Sequence, residues 1–223
     1  MQRSSKSLDI SPYPIGMIEN MAAVIFTVSN ILKPRQAEAI SRALAKDAVI
    51  IYPTETGYAL GCALGSAKGV AKIRQLRKMT KQHLFTLLLS DLKSIGHFSY
   101  LDNASFRLVK AHIPGPFTFI LRATAAVPKL FIHPKRKSMG FRVPSHSVVQ
   151  TILSVSAQPL LSVSLYREDE GWCNQDDIMA FQDQVDCIVE QEQCQQRPGS
   201  VIDMQDFPPT IIREGYGDCT AFK

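Results

Sequence analysis

The chain has 223 residues, 45% hydrophobic and 20% charged, a composition that fits one or at most two globular domains and excludes disordered or collagen-like chains. At this length roughly 70% of the unfolded surface can be buried, so a core needs no disulfide or structural metal. The net charge of +5 hides a polarity: residues 56–167 hold sixteen Lys and Arg against two acids, a local +14 that leaves −9 for the rest, and residues 168–196 hold nine acids and no Lys or Arg.

A basic middle points to a polyanion partner, nucleic acid or nucleotide phosphate, with solvated helix faces as the plain alternative. The acidic stretch lacks the alternating carboxylates of a calcium loop and reads as a solvated helix, so no metal site is expected there. Cys62, Cys173, Cys187, Cys194 and Cys219 are odd in number and form no CxxC pair. A reducing, cytoplasmic compartment and no zinc site follow as expectations. No run approaches the ~18 apolar residues needed to cross a bilayer, so no membrane association is expected.

Residues 1–22, with Asp9, Pro12, Pro14 and Glu19, read as a polar lead without the apolar core of a signal peptide, and residues 23–223 as one domain. Residues 34–46 place Ala37, Ile40, Ala43 and Leu44 at helical spacing after Pro34. Ala48 to Tyr52 is a short buried strand, ended by Pro53. The next stretch, Tyr52 to Gly61, reads as a hydroxyl-rich loop leaving that strand, able to present Thr54, Thr56 and backbone N–H groups to a small polar ligand. An ordinary turn before the next helix is the equal alternative.

A helix opened by Ser66 is expected over 66–79, a strand over Phe85 to Leu89 and a helix over Asn103 to His112. Further strands are expected at Phe117 to Arg122, Gly140 to Val143, Leu160 to Ser164, Asp186 to Glu190, Gly199 to Asp203 and Thr210 to Glu214. The order predicts a mixed α/β sheet with helices packed on it. Within it, Ile113-Pro114-Gly115-Pro116 is a rigid turn feeding a strand in which Thr118 and Arg122, four apart, share a face. Residues 135–142 put Lys135, Arg136 and Lys137 on a turn and Arg142 in the next strand, cations suited to phosphate oxygens. Ser162 and Ser164 alternate and point to one face. His146 reads as a helix-start residue, and neither a Walker lysine loop nor GxGxxG occurs.

In this order the stretches YPTETGYALGC, PGPFTFIL, GFRVPSH, LLSVSL, GSVID and IIREG resemble the YrdC/YciO family of threonylcarbamoyl-AMP synthases over about residues 25–217, and KRKSMGFRVPS, HLFTLLL and REGYGD resemble its YciO branch. The resemblance implies a single-domain twisted mixed sheet of the YrdC/RibB type, with helices around a large basic cavity. It implies a nucleotidyltransferase taking L-threonine, bicarbonate and ATP with Mg²⁺ to threonylcarbamoyl-AMP and pyrophosphate, in tRNA threonylcarbamoyladenosine formation. By position, Thr54, Thr56, Thr118, Arg122 and Ser162 resemble substrate-binding residues, Arg142, Ser164 and Arg213 the nucleotide side, and Arg77, Lys78 and Arg142 the catalytic cations.

Two departures from the synthase pattern stand out. Where synthases carry KxR this chain has Arg77-Lys78-Met79, with Lys81 nearby, and where they carry SxN it has Ser164-Leu165-Tyr166. Losing a cation that neutralises phosphate charge costs several kcal/mol of transition-state stabilisation unless another replaces it, which implies weakened synthase activity. A second reading is a double-stranded RNA- or tRNA-binding protein on the same fold, read by charge and shape. A third is hydrolysis of a nucleotide or threonylcarbamoyl compound on the same scaffold.

Overall fold

The computed structural model describes residues 22–80, 83–166, 171, 174–192, 194 and 196–223. The expected N-terminal lead lies outside the described residues except for Ala22, as do Lys81 and Cys173. The other four cysteines are free thiols. Among the described residues no helix is long and apolar enough to cross a membrane.

The strands are β1 (Val24–Val28), β2 (Ile50–Thr54), β3 (Gly57–Ala63), β4 (Thr86–Leu88), β5 (Phe117–Arg122), β6 (Ser138–Arg142), β7 (Leu160–Ser164), β8 (Cys187–Gln191), β9 (Ser200–Asp203) and β10 (Thr210–Arg213). They form one mixed ten-stranded sheet in the order β1-β8-β2-β3-β7-β4-β6-β5-β9-β10. The helices are α1 (Pro34–Leu44), α2 (Ala67–Leu76), α3 (Leu92–Phe98), α4 (Asn103–His112), α5 (Ser147–Val155) and α6 (Gln175–Met179).

Helix starts follow local chemistry. Ser66 Oγ, Asp91 Oδ1 and Asp102 Oδ1 accept the backbone N–H of Gly69, Ser94 and Ser105 at 2.9, 2.7 and 2.7 Å, meeting donors that no helix turn can satisfy. Helix α1 starts with Pro34 in its first turn, and the Gln36 side chain accepts the Lys33 N–H at 2.9 Å. Helix α2 stops at Leu76, short of the expected 79, because Lys78 takes a left-handed conformation with φ of 50°.

The largest difference from the sequence reading is residues 52–61. The expected loop is a tight hairpin: β2 runs through Pro53 to Thr54, and β3 begins at Gly57, whose φ is 121°. Pro53 falls beyond Ile51, the last β2 residue paired with β8, so its missing N–H breaks no bond on that side. The glycine that reads as punctuation serves packing instead. A Cβ on Gly61 would lie 2.8 Å from the Tyr52 ring. Strand β1 and helix α3 have no counterpart in the sequence reading, and of α5 only its start at His146 was legible.

Strand alternation sorts the core into two layers. Ile51, Leu60, Leu87, Phe119, Phe141, Leu161 and Ile202 face one side with Val70 of α2, Ile95 of α3, Val109 of α4 and Ile178 of α6. Ile50, Tyr52, Ala59, Leu88, Leu160 and Val189 face the other with Ile40 of α1 and Val148, Val149 and Ile152 of α5. Among the described residues four helices therefore cover the first face, and only α1 and α5 the second, at its β2–β3–β8 end. The rest of that second face carries the polar residues described next.

Candidate functional site

Beyond α5 the second sheet face is open, and its residues line a cavity of about 670 Å³. Thr86 of β4, Thr118 and Ile120 of β5, Gly140 and Arg142 of β6, Ser162 and Ser164 of β7 and Val201 of β9 all line it. In each strand their neighbours of opposite parity, such as Leu87, Phe119, Phe141, Leu161 and Ile202, belong to the first core layer. A deeper recess of about 90 Å³ shares many of these residues and adds Thr54 and Tyr58. Gly140 keeps the floor open, since a Cβ there would stand 2.9 Å from Thr118 Cγ2.

Arg213 reaches the cavity only through an irregularity. Ile211 pairs with Ile202, but Arg213 pairs with Val201, because the register shifts between them. Such a bulge reverses the side-chain parity. Without it Arg213 would share the first-layer side with Ile211. Its Nε donates to Gly199 O at 2.9 Å, and burial followed by the charge of Arg142 holds its guanidinium below the usual arginine range.

Among the described residues five cations, Arg77, Lys78, Arg136, Arg142 and Arg213, line the cavity, and no Asp or Glu does. Arg136 is braced by Asp203 at 3.2 Å. Arg142 Nη2 donates to Glu55 Oε1 at 2.8 Å and to Thr56 Oγ1 at 3.0 Å. Thr56 Oγ1 lies 3.1 Å from Thr54 Oγ1, which donates to Gly57 O at 2.6 Å. The hairpin turn is thus a closed network with the strand-borne guanidinium attached to it. Tyr52 donates to Ser162 Oγ at 2.7 Å, and burial pushes its hydroxyl above the ordinary tyrosine range. It therefore acts as a fixed donor.

His83 also lines the cavity, with its imidazole held below the usual histidine range by burial first and then by Arg77 and Arg74. A neutral imidazole among cations adds no charge near neutral pH. The two stretches that depart from the synthase pattern meet here: Arg77 Nη2 donates to the backbone O of Tyr166, and Tyr166 N–H donates to Ser164 Oγ at 3.0 Å.

Of the residues singled out from sequence, Thr54, Thr56, Arg77, Lys78, Thr118, Arg142, Ser162, Ser164 and Arg213 converge on the cavity or its recess. Arg122 does not. It shares parity with Thr118, but it ends β5 as an exposed residue and lines neither space. Parity fixes the side of a sheet and says nothing of how far a cavity extends along a strand. Thr86, Ser138 and His83 line the cavity as well; they lie in the HLFTLLL and KRKSMGFRVPS stretches, but the sequence reading gave none of them a role in the site.

Among the described residues no three His, Cys, Asp or Glu cluster as a metal site. The described lining, which holds no carboxylate, does not fit a resident Mg²⁺, which uses one or two carboxylates besides phosphate oxygens. The hollow fits anions.

A family model named Sua5_yciO_yrdC and described as telomere recombination matches residues 42–215. The uncharacterised protein YciO of Escherichia coli K12 is 38% identical over 180 residues, 79% of this chain and 87% of its own. An uncharacterised protein of Haemophilus influenzae is 38% identical over 194 residues, 84% of this chain and 94% of its own. The crystal structure of E. coli YciO superposes with a TM-score of 0.85 at 35% identity, covering 90% of this chain and all of that one. P. abyssi Sua5 complexed with L-threonine has a TM-score of 0.79 at 19% identity, covering 86% of this chain and 58% of that one, a likeness of fold.

Proposed function

Since the chain belongs to the Sua5/YciO/YrdC family, we propose that it is a threonylcarbamoyl-AMP synthase-like nucleotidyltransferase acting on L-threonine, bicarbonate and ATP, with the altered KxR and SxN motifs slowing it. The observation that carries this reading is the convergence of five cations and of hydroxyls from several strands in one cavity, with no acid among the described lining residues. Its volume of about 670 Å³ falls within the ~300–1,000 Å³ usual for small-molecule sites. That size favours a nucleotide with a small zwitterion over duplex RNA. Mg²⁺ would enter bound to the phosphates of ATP, as part of the substrate.

In this reaction the threonine amine attacks bicarbonate carbon and water leaves, giving a carbamate. A carbamate oxygen then attacks the α-phosphorus in line, and pyrophosphate departs with the electron pair of the broken P–O bond. Neither step needs a covalent protein nucleophile; both need reactants held in register and charge met as it develops on phosphoryl oxygens. Thr54, Thr56, Thr118 and Ser162 would orient the amino acid, Arg142, Ser164 and Arg213 would hold the nucleotide, and Arg77 and Lys78 would meet the departing charge. Arg122, outside the cavity, has no part in it.

The test is pyrophosphate release by the purified full chain with ATP, bicarbonate and threonine. We expect slow, threonine-dependent release that falls about 100-fold in Arg142→Ala, the loss typical of a group that stabilises transition-state charge. In Thr118→Ala we expect a fall of about tenfold. Release independent of threonine would point to nucleotide hydrolysis. No release, with salt-sensitive duplex RNA binding, would favour the RNA-binding reading.

A further inference from the structure

Among the described residues the cavity lining contains no carboxylate, yet one pairs with Arg142 from outside the lining. Glu55 sits in the turn between β2 and β3, lines neither the cavity nor the recess, and pairs with Arg142 with only 11% and 12% of the two side chains exposed. An ion pair so removed from water recovers its desolvation cost only if geometry and further hydrogen bonds are good. Here they are incomplete. Arg142 Nε and Glu55 Oε2 are both buried without a hydrogen-bond partner.

A bidentate arrangement, with Nε and Nη2 against the two carboxylate oxygens, would satisfy both atoms. The guanidinium is instead turned so that Nη2 serves Glu55 and Thr56 together. We infer that Glu55 is a positioning residue: with Thr56 it clamps Arg142 from behind, so that the guanidinium meets an incoming phosphate group in one fixed orientation. The inference rests on the reading of the cavity as an anion site.

The alternative role, a charge that merely lowers the local potential, predicts effects of opposite sign. Removing a negative charge beside a cation cluster tightens anion binding if potential alone matters. Removing a clamp loosens Arg142 and weakens binding.

Calorimetric titration with inorganic pyrophosphate separates the two, using the full chain as wild type, E55Q, E55D, R142Q and the double variant E55Q/R142Q, each checked for folding by circular dichroism. We expect E55Q to bind about tenfold more weakly, the size of losing one charge-assisted hydrogen bond. E55D should recover part of the loss. The double variant should bind no differently from R142Q, because the clamp has nothing left to hold.

Tighter binding by E55Q overturns the inference. Should E55Q fail to fold for want of a partner for its buried Arg142, the double variant, which carries two neutral amides, still decides: binding tighter than R142Q alone would show charge masking and reject the clamp. Wild-type protein that ignores pyrophosphate overturns both the anion reading and the clamp. Pyrophosphate binding without threonine-dependent turnover removes only the proposed reaction.

Discussion

Two ends of one sheet face show what a strand's alternation can be used for. At the β2–β3–β8 end, Ile50, Ala59 and Val189 meet α1 and α5 and are closed into a dry layer. At the β4–β6–β5–β9 end, the same parity delivers Thr86, Arg142, Thr118 and Val201 to a cavity that none of the described helices covers. Both ends rest on a continuous first layer beneath. The layer below supplies rigidity, so the open end is free to carry groups that would be costly in a core.

The comparison breaks most visibly at its covered end. Ile152→Ala on α5, fully buried, should cost about 2–5 kcal/mol of unfolding free energy from lost transfer and a residual cavity. Denaturant titration reads the cost, and pyrophosphate affinity of the folded protein should stay unchanged. If affinity falls with stability, the two ends are not separable.

A smaller effect of opposite sign is expected at the open end. Lys78 lines the cavity in a left-handed conformation that glycine adopts freely. Lys78→Gly should raise stability by roughly 0.5–1 kcal/mol while weakening pyrophosphate binding. Gain in stability without loss of binding would make Lys78 an ordinary helix stop.

The smallest effect concerns protons. His83, and His146 at the start of α5, are held below the usual histidine range, in both cases by burial first. Glu55 and Gln191 oppose the shift at His146. As pH falls through about 6.5, the unfolded chain binds protons that these two rings refuse, so stability declines with falling pH. Replacing both by Gln should flatten the melting temperature between roughly pH 7 and 5. An unchanged slope would place the rings in water.

Residues 52–61 show where reading the line of residues fails. Pro53, Gly57 and Gly61 are the ordinary marks of a loop, yet strand partners on both sides, β2 and β7, hold 57–63 extended. The β7 partners lie about a hundred residues away in the chain, and local propensity has no access to them. The stretch at 117–122 fared better, since its apolar alternation is itself the product of burial on one face.

What the sequence by itself determined is most of the elements, the mixed α/β class, the cationic middle and most of the groups that meet in the cavity, because periodicity, capping residues and charge are local properties. Tertiary structure alone decided which of those groups meet. A register shift turns Arg213 inward, the length of β5 leaves Arg122 outside, and the fold of the hairpin sets Glu55 behind Arg142. The physical reason is that parity is fixed along a strand, while pairing register, bulges and the edge of a cavity are settled between strands distant in the chain.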